Sequence, residues 1–196
     1  WIKGYLVDVE RDLYASNRIG RINATSFVDW YLIQELLRNN DAIFLSSDWM
    51  WKDTAAAANP KDRRLNMGPL WDFDRAAGNV NYNDNWLTEG CWVSKGYQPN
   101  WFSKLFDNPD FLALTISRWK QKRPTLEQYL SFSIDTFARR LMVAAQRNFQ
   151  RWPIFDLRLT NYYVFSSHDE EVAFVRRFLN ERMAWMDKAF ANPEAF

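Results

Sequence analysis

Nitrogen and sulfur ligands are almost missing from this chain: its 196 residues hold one cysteine, Cys91, and one histidine, His168. No internal disulfide can form, and metal sites built from Cys and His are all but excluded, so any metal would be bound by oxygen. Glycine is also scarce. The six glycines, at 4, 20, 68, 78, 90 and 96, include no closely spaced set, which excludes a glycine-rich loop or P-loop wrapped around a triphosphate. Charge of one sign is lacking as well. Lys plus Arg number 25 against 24 Asp plus Glu, a net of +1, so no overall field draws the chain to nucleic acid. No apolar run approaches the length of a membrane span. The opening WIKGYLVDVERDLY has the features of neither a signal peptide nor an initiator-Met start, and the expectation is a fragment or processed form of a longer protein. Scarce cysteine does not by itself fix the compartment.

What is present is apolar and aromatic. At 47% hydrophobic and 25% charged, the composition is that of a globular chain able to fill a core, without the signature of disorder. The length fits one large domain, and with no repeat, low-complexity segment or linker, residues 1–196 are read as a single domain. Ile2, Leu6, Val9 and Leu13 recur at helical spacing over residues 2–16, with Asn17 and Gly20 as stops. INATSFVDWYLIQELLRNND predicts a second helix with a broad apolar face, N-capped at Thr25 or Ser26 and ending near Arg38-Asn39-Asn40. Around IFLSSDWMWK the helical period fades, and an extended segment with LNMGPLWDFD as its partner is expected. Residues 78–100 are dense in Gly, Asn, Asp and Pro and predict a long loop, ordered by its aromatics. Helices follow: WFSKLFDN, then PDFLALTISRWKQKR opening on Pro109, then TLEQYLSFSIDTFARRLMVAAQRNFQRW, and last DEEVAFVRRFLNERMAWMDKAF behind a Ser167/Glu170 capping box. The fold class is mainly α, of α+β type: a helical domain with a small antiparallel β-hairpin carrying an Asp-x-Asp motif.

That motif, Asp72-Phe73-Asp74, is the feature that asks for chemistry. On a strand, positions i and i+2 share a face, so both carboxylates are expected to point together while Trp71 and Phe73 pack on the other side. At a separation of about 6–7 Å and an effective dielectric near 20, two such charges repel by roughly 2–3 kcal/mol. Protonation, basic neighbours such as Arg63, Arg64 or Arg75, or a hard divalent cation would relieve this. Mg²⁺ takes one or two carboxylates and fills its remaining positions with water and phosphate oxygens.

The other unusual residues have plainer readings. His168, at the start of the last helix, fits a surface role, and no Gly-x-Ser-x-Gly elbow accompanies it. Cys91 lacks the neighbours that mark a nucleophile. Trp119, Trp152 and Trp185 fall in helices, where packing is their ordinary role, whereas Trp86, Trp92 and Trp101 in or near the loop are the ones placed to serve as a sugar-binding platform. Arg139-Arg140 and Arg176-Arg177 read as solvated helix faces.

SFVDWYLIQELLRNNDAIFLSSDWMWKD with LNMGPLWDFDRAAGNVNY resembles the CotH kinase family, the spore-coat-protein-H-like atypical protein kinases of bacteria, and RNFQRWP and FLNERMAWMD are similar to its C-terminal helices. The specific core is Asn40-Asp41, Trp71-Asp72-Phe73-Asp74 and Gly78-Asn79. The resemblance implies phosphoryl transfer from ATP, with Mg²⁺ or Mn²⁺, to a Ser/Thr hydroxyl of a protein substrate. It implies Asp41 as catalytic Asp, Asp72 as metal-holding Asp and Asp74 as a second metal contact; Asn79 is a candidate for orienting a carboxylate or water and Lys52 for meeting phosphate, but the plainer readings, a turn residue and a surface charge, are favoured. In the family the upstream half of the same domain grips nucleotide, so the chain corresponds to the C-terminal half of the domain and is expected to be inactive alone. An inactive pseudokinase-type interaction or coat-assembly module, and a carbohydrate-binding module, are the alternatives. The family also implies an extracytoplasmic or cell-surface location, and the balanced charge argues against a nucleic acid partner.

Overall fold

A computed structural model describes residues 1–42 and 46–192. Its elements in chain order are α1 (Ile2–Ser16), α2 (Ala24–Leu37), β1 (Met50–Trp51), β2 (Asn66–Met67), α3 (Trp101–Phe106), α4 (Pro109–Arg151) and α5 (His168–Ala191). The mainly helical expectation with one small antiparallel sheet holds, Met50 pairing with Met67 and Trp51 with Asn66.

The α2 helix is the centre of the core. Phe27, Val28, Trp30, Tyr31, Leu32 and Leu36 are all buried, and so are the polar Gln34 and Glu35, so the helix meets protein all round rather than along one stripe. It packs on α4, α5 and β2. Phe102 of α3 lies against it, stacked on Trp30 with ring centres 5.3 Å apart, while Tyr31 meets Phe106 edge to face at 4.8 Å. The Arg118 guanidinium forks onto Asp29 at 2.9 and 2.5 Å and fastens α4 to α2. Its N-cap position is Asn23, ahead of the expected Thr25 or Ser26; the Ser26 hydroxyl instead donates to the Asn23 carbonyl.

One expected boundary vanishes. The two helices predicted on either side of Pro124 are one helix of 43 residues, about 65 Å long. Proline in a helix costs an N–H and crowds the preceding turn, and here packing on α5 holds both flanks. Trp119 Nε1 and Arg123 Nε share the Asp187 carboxylate at 2.8 and 3.1 Å, and farther along Arg176 pairs with Asp135. Those contacts show α5 running back antiparallel along α4. The N-terminus of α4 is capped by Asn108, whose side chain accepts from the Asp110 and Phe111 amides. At α5, Ser167 accepts from the Glu170 amide as expected, but the Glu170 carboxylate reaches the Ser166 amide rather than that of Ser167.

The hairpin differs most from expectation. Part of the first predicted strand, residues 43–45, lies outside the described residues. The second strand stops at Met67, because Gly68 takes φ 120° and Pro69 has no N–H to continue a ladder. Asp72 and Asp74 are therefore not carried on a strand. Asp72 sits in left-handed backbone at φ 60°, and Trp71, expected to pack, is 60% exposed.

Candidate functional site

The site grows out of the C-terminal end of α2. Arg38 closes the helix in left-handed backbone, φ 45°, and its buried guanidinium donates to the carbonyls of Glu89 and Gly90 at 2.8 and 2.9 Å. Burial, and then the nearby Arg182 charge, lower its pKa to about 10. Glu35, one turn back, anchors the same loop: its two carboxylate oxygens accept from the Trp92 and Val93 amides, both at 2.8 Å, and from Arg182 at 2.8 Å. The residues that follow Arg38 are thus fixed to the core from the first.

Asn39, Asn40 and Asp41 come next, all buried. They are knitted to the Asp-x-Asp segment across a separation of 72 − 41 = 31 residues. The Asn40 amide donates to the Arg75 carbonyl at 3.0 Å, the Ala77 amide to the Leu37 carbonyl at 2.7 Å, and the Asn39 side chain to the Asp72 carbonyl at 3.3 Å. Asn83 from the long loop adds a third strand of support, donating to Asn40 Oδ1 at 3.0 Å while Asn40 Nδ2 donates to Asp41 Oδ1 at 3.1 Å. Asp41, 8% exposed, also accepts from the Ser46 hydroxyl at 3.2 Å and stands 3.9 Å from Arg75 Nη1. The neighbouring hydroxyl, Ser47, donates to Asp72 Oδ2 at 3.2 Å. Two adjacent serines thus contact one acid each.

Asp74 is held through its main chain. Its carbonyl accepts from Asn79 Nδ2 at 2.8 Å, and the residue lines a cavity of about 300 Å³ shared with the first turns of α5. Among the described residues no three His, Cys, Asp or Glu side chains form a group suited to holding a metal. Asp41 and Asp72 are the pair whose chain segments come together. Carboxylate and hydroxyl oxygens lie around that pair beside the Arg75 guanidinium, and such oxygens fit a hard cation taking few protein ligands and completing its shell with water or phosphate.

Other expected residues have settled roles. Asn79 braces the turn after Asp74. Lys52 donates to the Asp53 carbonyl and lies over the rings of Trp1 and Tyr5, at 5.3 and 4.8 Å, away from the acids. Trp92 is buried, Trp86 stacks on Tyr162 at 4.0 Å, and Trp101 Nε1 donates to Glu10, so the three loop indoles serve the protein's own packing. Burial lifts the Cys91 thiol to about 11, which leaves it a poor nucleophile. Asn83, Ser46 and Ser47 were missed by sequence reasoning. Their only signal was polar residue type in a turn, which most such residues share for reasons of solvation alone.

Residues 11–186 match the family model described as CotH kinase protein. The chain belongs to the CotH kinase family. No curated protein and no solved structure matches it. The family match runs from within α1 to within α5, so it takes in the whole end of α2, the Asp-x-Asp segment and the loop that braces both.

Proposed function

We propose that this chain supplies the acid-bearing half of a CotH-like protein kinase, which passes a phosphoryl group from Mg-ATP to a protein hydroxyl. The observation that carries the reading is the stitching of residues 37–41 to residues 72–77 by main-chain hydrogen bonds, which sets Asp41 and Asp72 on adjoining, core-anchored segments. Phosphoryl transfer asks a protein mostly for positioning and charge neutralisation. Backbone strain supports the same place. Among the described residues, three of the eight non-glycine residues with positive φ, Arg38, Asp72 and Ala77, lie on these segments, and such strain gathers where geometry serves function.

In this reading Asp41 accepts the hydrogen bond of the substrate hydroxyl and takes its proton as the oxygen attacks. Asn40 and Ser46 donate to its carboxylate and Arg75 stands beside it, which holds it in one orientation. Asp72 presents a solvent-facing carboxylate to the divalent ion, with Asp74 as its second contact. The ion, when bound with nucleotide, neutralises charge on the phosphates. The upstream half of the domain grips the nucleotide, and the isolated chain is inactive.

The test is phosphate transfer by the intact parent protein, given ATP, Mg²⁺ or Mn²⁺ and a mixture of candidate protein substrates. Asp41→Asn and Asp72→Asn should each lower transfer by about 10²–10⁴-fold with the thermal transition unchanged. Transfer that survives both substitutions would refute the assignment. A folded parent that transfers nothing with either metal would favour the interaction-module alternative.

A further inference from the structure

The cavity beside Asp74 has a composition that phosphoryl transfer does not account for. One wall is the turn holding Phe73 and Asp74. The other is the first part of α5 with the segment leading to it, which contribute Tyr163, Phe165, Glu171 and Phe174. The three rings nearest α5 form a cluster: Tyr163 and Phe165 each lie 5.1–5.2 Å from Phe174. Gly78 lets the walls approach. At φ 79° it adopts left-handed backbone, and a Cβ there would stand 2.9 Å from Phe174 Cζ.

Two acidic residues, Glu171 and Asp74, line this aromatic space, and among the described residues neither carboxylate has a hydrogen-bonded or ion-paired partner. Partial burial raises the Glu171 pKa, offset by the nearby His168, as expected of an acid without a bonded countercharge. No Lys or Arg lines the cavity, so an anion is disfavoured. Aromatic faces carry negative potential and attract cations, most strongly where water is displaced. Phe174 already shows this, because Arg177 holds its guanidinium carbon 5.5 Å from the ring centre. A cavity of about 300 Å³ is at the small end of ligand sites and admits a compact molecule.

We propose that this cavity binds a small organic ammonium cation, its charge facing the carboxylates of Glu171 and Asp74 and its alkyl groups lying against Tyr163, Phe165 and Phe174. Asp74 also belongs to the phosphoryl-transfer reading. The proposal is therefore tested at Glu171 and Tyr163, which have no part in that reading, and without nucleotide or metal.

Choline chloride is titrated into the protein and followed by calorimetry and by the aromatic proton shifts in NMR. Its neutral carbon analogue, 3,3-dimethyl-1-butanol, and sodium chloride at equal ionic strength serve as controls. Saturable binding of choline and none of the analogue is expected. Glu171→Gln and Tyr163→Leu should each weaken it at least about fivefold, and Tyr163→Phe should not. Asp41→Asn should bind choline as the unaltered chain does, whether or not it abolishes phosphate transfer, which separates the two readings. Absence of saturable choline binding, equal binding of the neutral analogue, or full affinity in either folded weakening variant overturns the proposal. The comparison of choline with its analogue needs no variant, so it stands even if a substitution impairs folding.

Discussion

Replacing Arg182 with Met keeps roughly the same volume and removes one charge from the centre of the protein. The side chains of Arg182 and Glu35 are 0% and 1% exposed, and the guanidinium donates to Glu35 Oε1 at 2.8 Å, to the Glu35 carbonyl at 2.7 Å and to the Thr88 and Gly90 carbonyls at 3.0 Å. In the variant the Glu35 carboxylate keeps its two amide donors but loses its countercharge. Breaking a buried pair from one side costs about 3–5 kcal/mol. A little is returned, because Arg38 no longer faces a like charge. For a chain of this length each kcal/mol moves the midpoint by about 2–4 °C, so a fall of about 6–20 °C is expected in thermal unfolding followed by circular dichroism. The double variant Glu35→Leu, Arg182→Met removes both charges and should be more stable than the two single losses added together. A loss under about 1 kcal/mol for Arg182→Met, or strict additivity, would refute the view that this pair anchors residues 88–93 to α2.

Three further outcomes can be checked separately. Gly78→Ala combines a positive φ with a Cβ 2.9 Å from Phe174, and should cost about 1–3 kcal/mol in urea unfolding. Asn108→Ala removes the cap of α4 and should cost about 1 kcal/mol, with faster hydrogen exchange confined to the helix's first turn. Cys91, raised by burial from 9.0 to about 11, stays protonated in the folded chain while the unfolded thiol ionises first. Its contribution to stability is therefore complete below pH 9 and is lost as pH rises toward 11, a decline that Cys91→Ala should remove from the pH profile of unfolding. At pH 8 the native thiol should alkylate about a hundredfold more slowly than the unfolded one.

Periodicity made α1 and α5 legible to within a residue or two, since each has a polar face and a plain stop. The α2 helix was placed equally well, yet its all-round burial was less obvious, because the partner that lets Glu35 be buried, Arg182, lies 147 positions away. Pro124 misled for the opposite reason: a local penalty was outweighed by tertiary contacts on both flanks, which no short window contains. The Asp-x-Asp segment was recognisable by residue type and family resemblance, but its conformation was not. Alternation on a strand presupposes a ladder, and the ladder ends at Met67, five residues before Asp72. That Asp41 and Asp72 belong to adjoining segments depends on hydrogen bonds between residues more than thirty positions apart, and those partners leave no mark on local pattern.

Asp41 follows the end of α2 with no slack between it and the most deeply enclosed helix of the molecule. The chain has no independent arm on which the acid could be readjusted, so any shift of the helix along its axis displaces the carboxylate by the same amount. A screen for lost function should accordingly return substitutions at Trp30, Tyr31 and Leu36 alongside those at the acids. Interior volume and the placement of Asp41 are, in this protein, one inherited quantity.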